Sequence, residues 1–261
     1  MTGGGGMRPF DQMPLAAARA IRTILFDVDD TLTTHGKLTA QAYSAMWALS
    51  RAGFRLVPVT GRPAGWCDMM LRQWPVAAVI CENGAFALMR DAQNAIHTLT
   101  HPNAARDPAP RLEALARAVR AAVPEARISR DQRFRAYDLA FDFAEDEPRL
   151  PDASVEAILA ACRREGAQCK LSSIHVNAWY GEYDKLSMTL NYFEHEKVEN
   201  ARSHALFFGD SPNDEPMFAY FPNACGVENV LDYAHSMASM PAYIVKGRGG
   251  QGFARAARTL I

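Results

Sequence analysis

The stretch FDVDDTLT, Phe26 to Thr33, places carboxylates at Asp27, Asp29 and Asp30 directly after the apolar run TILF. Like charges about 5 Å apart repel by roughly 3 kcal/mol at an effective dielectric of about 20, so a folded chain keeps such a cluster only beside a cation or a basic partner. Other chemistry-bearing residues recur behind apolar runs: Thr60-Gly61-Arg62 after FRLVPV, Glu82-Asn83-Gly84 after AAVIC, and GDSPNDEPM with Asp210, Asn213 and Asp214 after ALFF. Lys185 opens a helical pattern. Carboxylates, a hydroxyl, glycine-freed backbone N–H groups and an ammonium are the parts needed to hold an oxygen-ligated divalent ion together with a phosphoryl group.

Those residues are useful only if the fold brings them together, and the pattern around them says how. From Thr23 to Cys81, short wholly apolar runs alternate with amphipathic stretches, the first of which spans Thr39 to Ala52 and ends at Gly53. Apolar strands separated by helices predict a parallel sheet covered on both faces. The rhythm returns after Lys185 in KLSMTLNYFEHE, ALFFG, DEPMFAYF, ACGV, AYIV and GFARAARTLI. Both ends therefore belong to one doubly wound, Rossmann-like α/β core, in which ligands bind at the carboxyl ends of the strands.

The middle of the chain reads differently. RAYDLAFDFAED alternates, with Tyr137, Leu139, Phe141 and Phe143 on one face and Asp138 and Asp142 on the other, which predicts a sheet with one solvated or cavity-facing side. Helical patterns at 111–123 and 152–165 and a strand in SIHVNAWY accompany it. The expectation is an α+β insertion over 89–182, between core segments 1–88 and 183–261, with partial disorder within residues 1–20. Two-residue periodicity puts His175 and Asn177 on one face of the SIHVNAWY strand, where they either contact substrate from a lid or lie on a solvated outer surface.

In order along the chain, D-x-D-x-T (Asp27 to Thr31), Thr60, Lys185 and G-D-x-x-N-D (Gly209 to Asp214) resemble the signature of the haloacid dehalogenase-like superfamily of phosphotransferases. VTGR, CENGA and the position of the insertion are similar to its IIB branch, which holds Cof-type, sucrose-phosphate and mannosyl-phosphoglycerate phosphatases. The resemblance implies a C2-type cap on the core and Mg²⁺-dependent hydrolysis of a small phosphorylated metabolite, most readily a sugar phosphate, through an aspartyl phosphate. It makes Asp27 the nucleophile and Asp29 the general acid and base. It gives Mg²⁺ to Asp27, the carbonyl of Asp29 and Asp210, with Asp214 as a further ligand or an orienting group. Thr60, Gly61, Arg62, Asn83, Lys185 and Asn213 are assigned to the phosphoryl group and substrate. An aspartate nucleophile makes chemical sense because the mixed anhydride it forms is opened by water more easily than the original ester.

The chain departs from the pattern at Asp30, where glycine is common and a turn or cap role suffices, and at Leu186, where this branch has glycine. A phosphomutase-like phosphotransferase of the same superfamily is the alternative enzyme. A receiver-type phosphorylation switch is the alternative from another class, and the extra G-D-x-x-N-D motif and the chain length argue against it.

Other features carry less. GRGGQG, Gly247 to Gly252, satisfies a dinucleotide-binding pattern, yet nine residues follow it, too few for a second strand and its acidic residue. His97 and His101 read as surface loop histidines, and His195 as part of a solvated helix end. With 261 residues, 49% apolar and 22% charged, and a formal charge of −1, the composition offers no electrostatic footprint for nucleic acid or an anionic membrane. Scattered cysteines (Cys67, Cys81, Cys162, Cys169, Cys225) and the lack of a long apolar segment favour a cytoplasmic protein; the expected partner is a small phosphorylated substrate, and the expected state a monomer or homodimer.

Overall fold

The computed structural model describes residues 6–145 and 148–261. The glycine-rich residues 1–5 of the expected disordered start lie outside that range. Residues 8–20 are structured: β1 (Arg8–Pro9) pairs with the last strand of the chain, Phe10 is buried, and α1 (Leu15–Ala20) follows.

The first core segment continues through β2 (Thr23–Phe26), α2 (Ala40–Arg51), β3 (Arg55–Pro58), α3 (Ala64–Gln73) and β4 (Ala78–Cys81). Thr39 caps α2 by accepting the Ala42 N–H, and Gly53 ends it at φ +91°. An antiparallel hairpin, β5 (Phe86–Arg90) and β6 (Ile96–Thr100), then folds onto β4, so the expected boundary between residues 88 and 89 falls inside a strand whose Ala87 and Met89 pack with the core. His97 therefore sits on an exposed strand rather than in a loop, and His101 is buried.

The insertion comprises α4 (Ala109–Ala122), β7 (Arg127–Ile128), β8 (Asp138–Asp142), α5 (Asp152–Arg164), β9 (Gln168–Leu171) and β10 (His175–Trp179). The chain returns through α6 (Lys185–His195), α7 (Ala201–His204), β11 (Ala205–Gly209), α8 (Glu215–Tyr220), β12 (Ala224–Val227), β13 (Tyr243–Val245) and α9 (Gly249–Leu260). α9 begins within GRGGQG.

The core sheet runs β1-β13-β12-β11-β2-β3, every pair parallel, and β4 joins β3 through a Val59–Ile80 bridge. Alternate residues of one strand serve opposite layers, which is why the strands read as unbroken apolar runs. Ile24, Phe26, Leu206 and Phe208 pack with Met46, Leu49 and Phe253 of α2 and α9. Leu25 and Phe207 pack with Met188, Tyr192 and Phe218 of α6 and α8. The chain passes from β2 to β3 on one side and later returns as β11 on the other, so β2 marks the topological switch point.

The insertion is an antiparallel sheet, β7-β8-β10-β9, with α4 and α5 on one face. Leu139, Phe141, Val176 and Ala178 meet Leu115, Val119, Ile158 and Leu159 there. Tyr137 does not join them; its ring lies 5.5 Å from that of Phe86, on the core side. The polar face of this sheet is not solvated: Asp138, Asp142, His175 and Asn177 are all buried.

Candidate active site

Because β2 and β11 are in register at Phe26 and Phe208, Asp27 and Asp210 emerge at the same end of the sheet, and the Asp27 N–H donates to the Phe208 carbonyl at 2.9 Å. Lys185, at the start of α6, reaches under them. Its Nζ lies 2.7 Å from Asp27 Oδ1 and 2.7 Å from Asp214 Oδ1. The helix is aimed by a capping box, in which Asp184 accepts the Ser187 N–H and Ser187 Oγ accepts the Asp184 N–H. Gly84 lets the ENG turn press against that helix start, since a Cβ there would sit 2.0 Å from the Asp184 carbonyl oxygen.

One carboxylate oxygen from each of Asp27, Asp210 and Asp214 falls within a 4.8 Å group, and all three residues are buried. Asp214 and Asp210 are also held by other donors. Asp214 Oδ2 accepts the N–H groups of Asp210 at 3.0 Å and Ser211 at 3.4 Å, an approach that only glycine at 209 permits, because a Cβ there would lie 2.5 Å from that oxygen. Asp210 accepts Thr31 Oγ1 at 2.8 Å and Asn229 Nδ2 at 3.0 Å. Asp30 has φ +54°, a left-handed turn that favours glycine and tolerates aspartate, in keeping with the turn role expected for it.

Three buried carboxylates thus cluster where one ammonium reaches two of them, Asp27 and Asp214. Burial drives Asp27 up to about 7, Lys185 offsets part of the rise, and Asp214 and Asp29 add to it. Asp210 is likewise pushed well above the ordinary carboxylate range, by burial and then by Asp27 and Asp214. Burial alone would lower Lys185, but Asp214 and Asp27 hold it above its ordinary value.

On the other side of β2 the TGR turn lies beside the site. Thr60 Oγ1 accepts the Arg62 N–H at 3.0 Å, which leaves its own O–H to donate elsewhere, and the Thr60 carbonyl accepts the Asn83 N–H at 3.1 Å. Ser211 Oγ donates to Asn213 Oδ1 at 2.9 Å, leaving the Asn213 amide as a donor. Arg62, by contrast, is engaged with acids. Its Nε lies 3.0 and 2.8 Å from the two Asp29 oxygens and its Nη2 2.8 Å from Asp29 Oδ1, while the same Nη2 reaches Glu145 of the insertion at 2.8 Å and Nη1 reaches Asp131 at 3.5 Å. The Asp29 carboxylate is accordingly turned toward the insertion and is not one of the three clustered acids.

His175 and Asn177 sit at the same seam. His175 Nε2 is 3.0 Å from Glu145 Oε2, an ion-pair distance without hydrogen-bond alignment, and Asn177 Nδ2 donates to Asp138 at 3.1 Å. Asn83 Nδ2 donates to the same Asp138 oxygen at 2.9 Å. Burial works against the charge of Glu145, but His175 and Arg62 hold its carboxyl down at about 2.

The sequence pattern assigns no role to Glu82, Asp131, Arg135 or Glu145. Glu82 is fully buried and accepts N–H groups from Ala64 at 3.0 Å, Ala136 at 2.9 Å, Tyr137 at 2.6 Å and Asp138 at 3.2 Å, tying core to insertion. Burial and then Asp138 push it up to about 7, against those donors. The ENG phrase signals a special turn, realised with Glu82 and Asn83 at φ +45° and +57°; Asp131, Arg135 and Glu145 stand in no motif.

Residues 24–107 match the family model of haloacid dehalogenase-like hydrolases. That segment, about a third of the chain, is similar to the haloacid dehalogenase-like hydrolases. No curated protein sequence matches it. The chain shares its fold with a Thermoplasma acidophilum protein (TM-score 0.69, 18% identity, covering 92% of this chain and 98% of that one). It is similar to the C-terminal domain of C. albicans trehalose-6-phosphate phosphatase (TM-score 0.72, 13% identity, 97% and 98% covered). A subclass IIB sugar phosphatase of the superfamily also resembles it (TM-score 0.62, 12% identity, 92% and 100% covered).

The residues of the site fit a divalent cation. Carboxylate oxygens, with no soft ligand among them, suit a hard ion such as Mg²⁺, and three buried carboxylates meet there with Lys185 reaching Asp27 and Asp214.

Proposed function

We propose that this protein is a Mg²⁺-dependent phosphatase of small phosphorylated metabolites, with sugar phosphates as the substrate class. The observation that carries the reading is the buried group of Asp27, Asp210 and Asp214 with Lys185 bridging Asp27 and Asp214, at the switch point of a doubly wound sheet. The sugar class is supported by a cavity of about 360 Å³ between core and insertion, lined by Asp29, Asp30, His35, Glu145, Arg149 and Ser173. Its acceptors and donors suit a polyol leaving group beside Asp29. Two proteins that share the fold, a sugar phosphatase and a trehalose-6-phosphate phosphatase, support the same class. We place the protein in the cytoplasm, where its five free cysteines would stay reduced.

Asp27, Asp210, Asp214 and the Asp29 carbonyl would hold the cation, which when bound withdraws charge from the phosphoryl oxygens and relieves the repulsion among the acids. Asp27 attacks phosphorus, the bond to the leaving oxygen breaks, and that oxygen takes a proton from Asp29. Water then attacks the aspartyl phosphate, Asp29 takes its proton, and the bond from phosphorus to Asp27 breaks to release phosphate. Lys185, the Thr60 hydroxyl, the Gly61 N–H and the Asn213 amide neutralise and orient the transferring oxygens. Arg62 occupies the face of Asp29 on which these proton transfers occur, so a bound substrate must loosen that contact.

The reading is tested by phosphate release from a panel of phosphorylated metabolites with Mg²⁺ and with EDTA. Metal-dependent turnover of sugar phosphates is expected; undiminished turnover in EDTA would sink it.

A further inference from the structure

Arg135 belongs to the insertion, yet its guanidinium, with no exposed side-chain surface, reaches into the core. Nη1 donates to the Gly61 carbonyl at 2.8 Å and to Asp138 Oδ1 at 2.8 Å. Nε and Nη2 lie 3.1 and 3.3 Å from the two oxygens of Asp131, which Ser129 Oγ holds in turn at 2.7 Å. The forked contact with Asp131 sets the plane of the guanidinium, so its remaining donor is aimed rather than mobile.

The target of that donor is the middle carbonyl of the TGR turn. A trans peptide points its N–H opposite to its C=O. The Thr60 carbonyl is held by Asn83 N–H, which turns the Gly61 N–H to the other side; the Gly61 carbonyl is held by Arg135, which turns the Arg62 N–H onto Thr60 Oγ1. A chain of polarised groups results, running from the guanidinium through the Gly61–Arg62 peptide to the Thr60 hydroxyl. Donors and acceptors in series strengthen one another, so a cation at one end makes the hydroxyl proton at the other a better donor.

We propose that Arg135 is a positioning residue for the phosphoryl-binding turn, acting through the Gly61–Arg62 peptide on Thr60, so that the seated insertion completes the phosphoryl site. This rests on the reading of that turn as phosphoryl-binding.

The test measures inorganic phosphate binding, by calorimetry and as product inhibition, together with turnover of p-nitrophenyl phosphate, in Arg135→Ala, Thr60→Ala and the double variant. Arg135→Ala should weaken phosphate binding by roughly ten-fold or more, the worth of a charge-assisted hydrogen bond, and added guanidinium should restore part of it. In the Thr60→Ala background the same substitution should have an effect smaller than about two-fold, because the two act in series. If Arg135→Ala gives no cooperative melt, Arg135→Lys, which keeps the charge but not the fork, is expected to show an intermediate loss of phosphate binding. Wild-type phosphate affinity in Arg135→Ala or Arg135→Lys, or full additivity with Thr60→Ala, overturns the proposal and leaves the phosphatase reading standing. A wild-type protein that neither binds phosphate nor hydrolyses any ester overturns both.

Discussion

The acids of the core cluster and those of the seam between core and insertion are balanced in opposite ways. In the cluster, one ammonium meets Asp27 and Asp214, Asp210 is held by Thr31 and Asn229, and burial drives Asp27 and Asp210 upward. In the seam, burial acts on Asp131 and Glu145 too, yet Arg135 with Ser129 holds the first down, and His175 with Arg62 holds the second down. A carboxylate group satisfied by its own arginines needs nothing more from outside. One left with surplus charge costs stability and is kept for what it binds. The cluster is therefore built for a ligand, and the seam for registration of one unit on the other.

Breaking the cluster should have the largest effect. Asp27→Asn should abolish turnover, measured as phosphate release, while its melting temperature in EDTA stays level or rises because a like charge has been removed. Restoring the nucleophile chemically by deamidation would restore activity; activity in the intact variant would refute the role. Next in size, Asp29→Asn should slow turnover by roughly 10²–10⁴, the usual loss for a general acid and base, with binding of inorganic phosphate retained.

The contrast between the regions also explains which parts of the molecule are legible in its sequence. The cluster residues each follow a strand or open a helix, so a sheet recognised from its apolar runs, TILF and ALFF, delivers Asp27 and Asp210 to one end by register alone. The seam is assembled from side chains 33 to 83 residues apart, such as Arg62 with Asp29, Asp131 and Glu145, and nothing local in DQRFRAY or FAED marks them. Alternation in β8 and β10 does reveal which residues share a face, and Asp138, His175 and Asn177 share one; that this face is buried against the core depends on tertiary packing. The β5–β6 hairpin is hidden because FALM merges with the preceding strand signal and IHTLT with the insertion, although DAQN between them is a turn.

Metal binding sharpens the comparison by stability rather than rate. An ion that binds only the folded state at roughly 100 times its dissociation constant adds about 2.7 kcal/mol. Mg²⁺ should raise the melting temperature of the wild type, and Asp210→Asn should remove that increment, whereas Glu145→Gln in the seam should keep it. Equal Mg²⁺ increments in all three proteins would place the ion elsewhere.

Within the seam, His175 backs Glu145, which lines the cavity assigned to the leaving group, and Asn177 holds Asp138, whereas Arg135 addresses the turn. His175→Ala and Asn177→Ala should lower kcat/KM for the preferred metabolite more than for p-nitrophenyl phosphate, since a contact to a leaving group matters only when that group is present. Equal losses on both substrates would move these residues to seating of the insertion, alongside Arg135.

The smallest effect expected is the pH dependence of the seam itself. His175 and Arg62 hold Glu145 at about 2, below the ordinary carboxylate value of 4.5, although burial pulls the other way. A depressed carboxyl contributes stability that is fully present above the unfolded value and is lost as pH falls from about 4.5 toward about 2, because the folded state resists the proton that the unfolded state accepts. Glu145 keeps a third of its side chain exposed, so solvent screening makes this contribution small. It should appear as a shallow acid-side fall in seam protection, read by hydrogen exchange at the Ala144 and Glu145 amides, that Glu145→Gln flattens. The cluster responds with the opposite sign, since Asp27 is pushed up to about 7 and takes a proton more readily when folded, which relieves repulsion as pH falls. A Glu145→Gln protein with an unchanged acid-side slope would assign that slope to other carboxylates, Asp131 with its arginine first among them, and would separate registration by Glu145 from registration by Arg135.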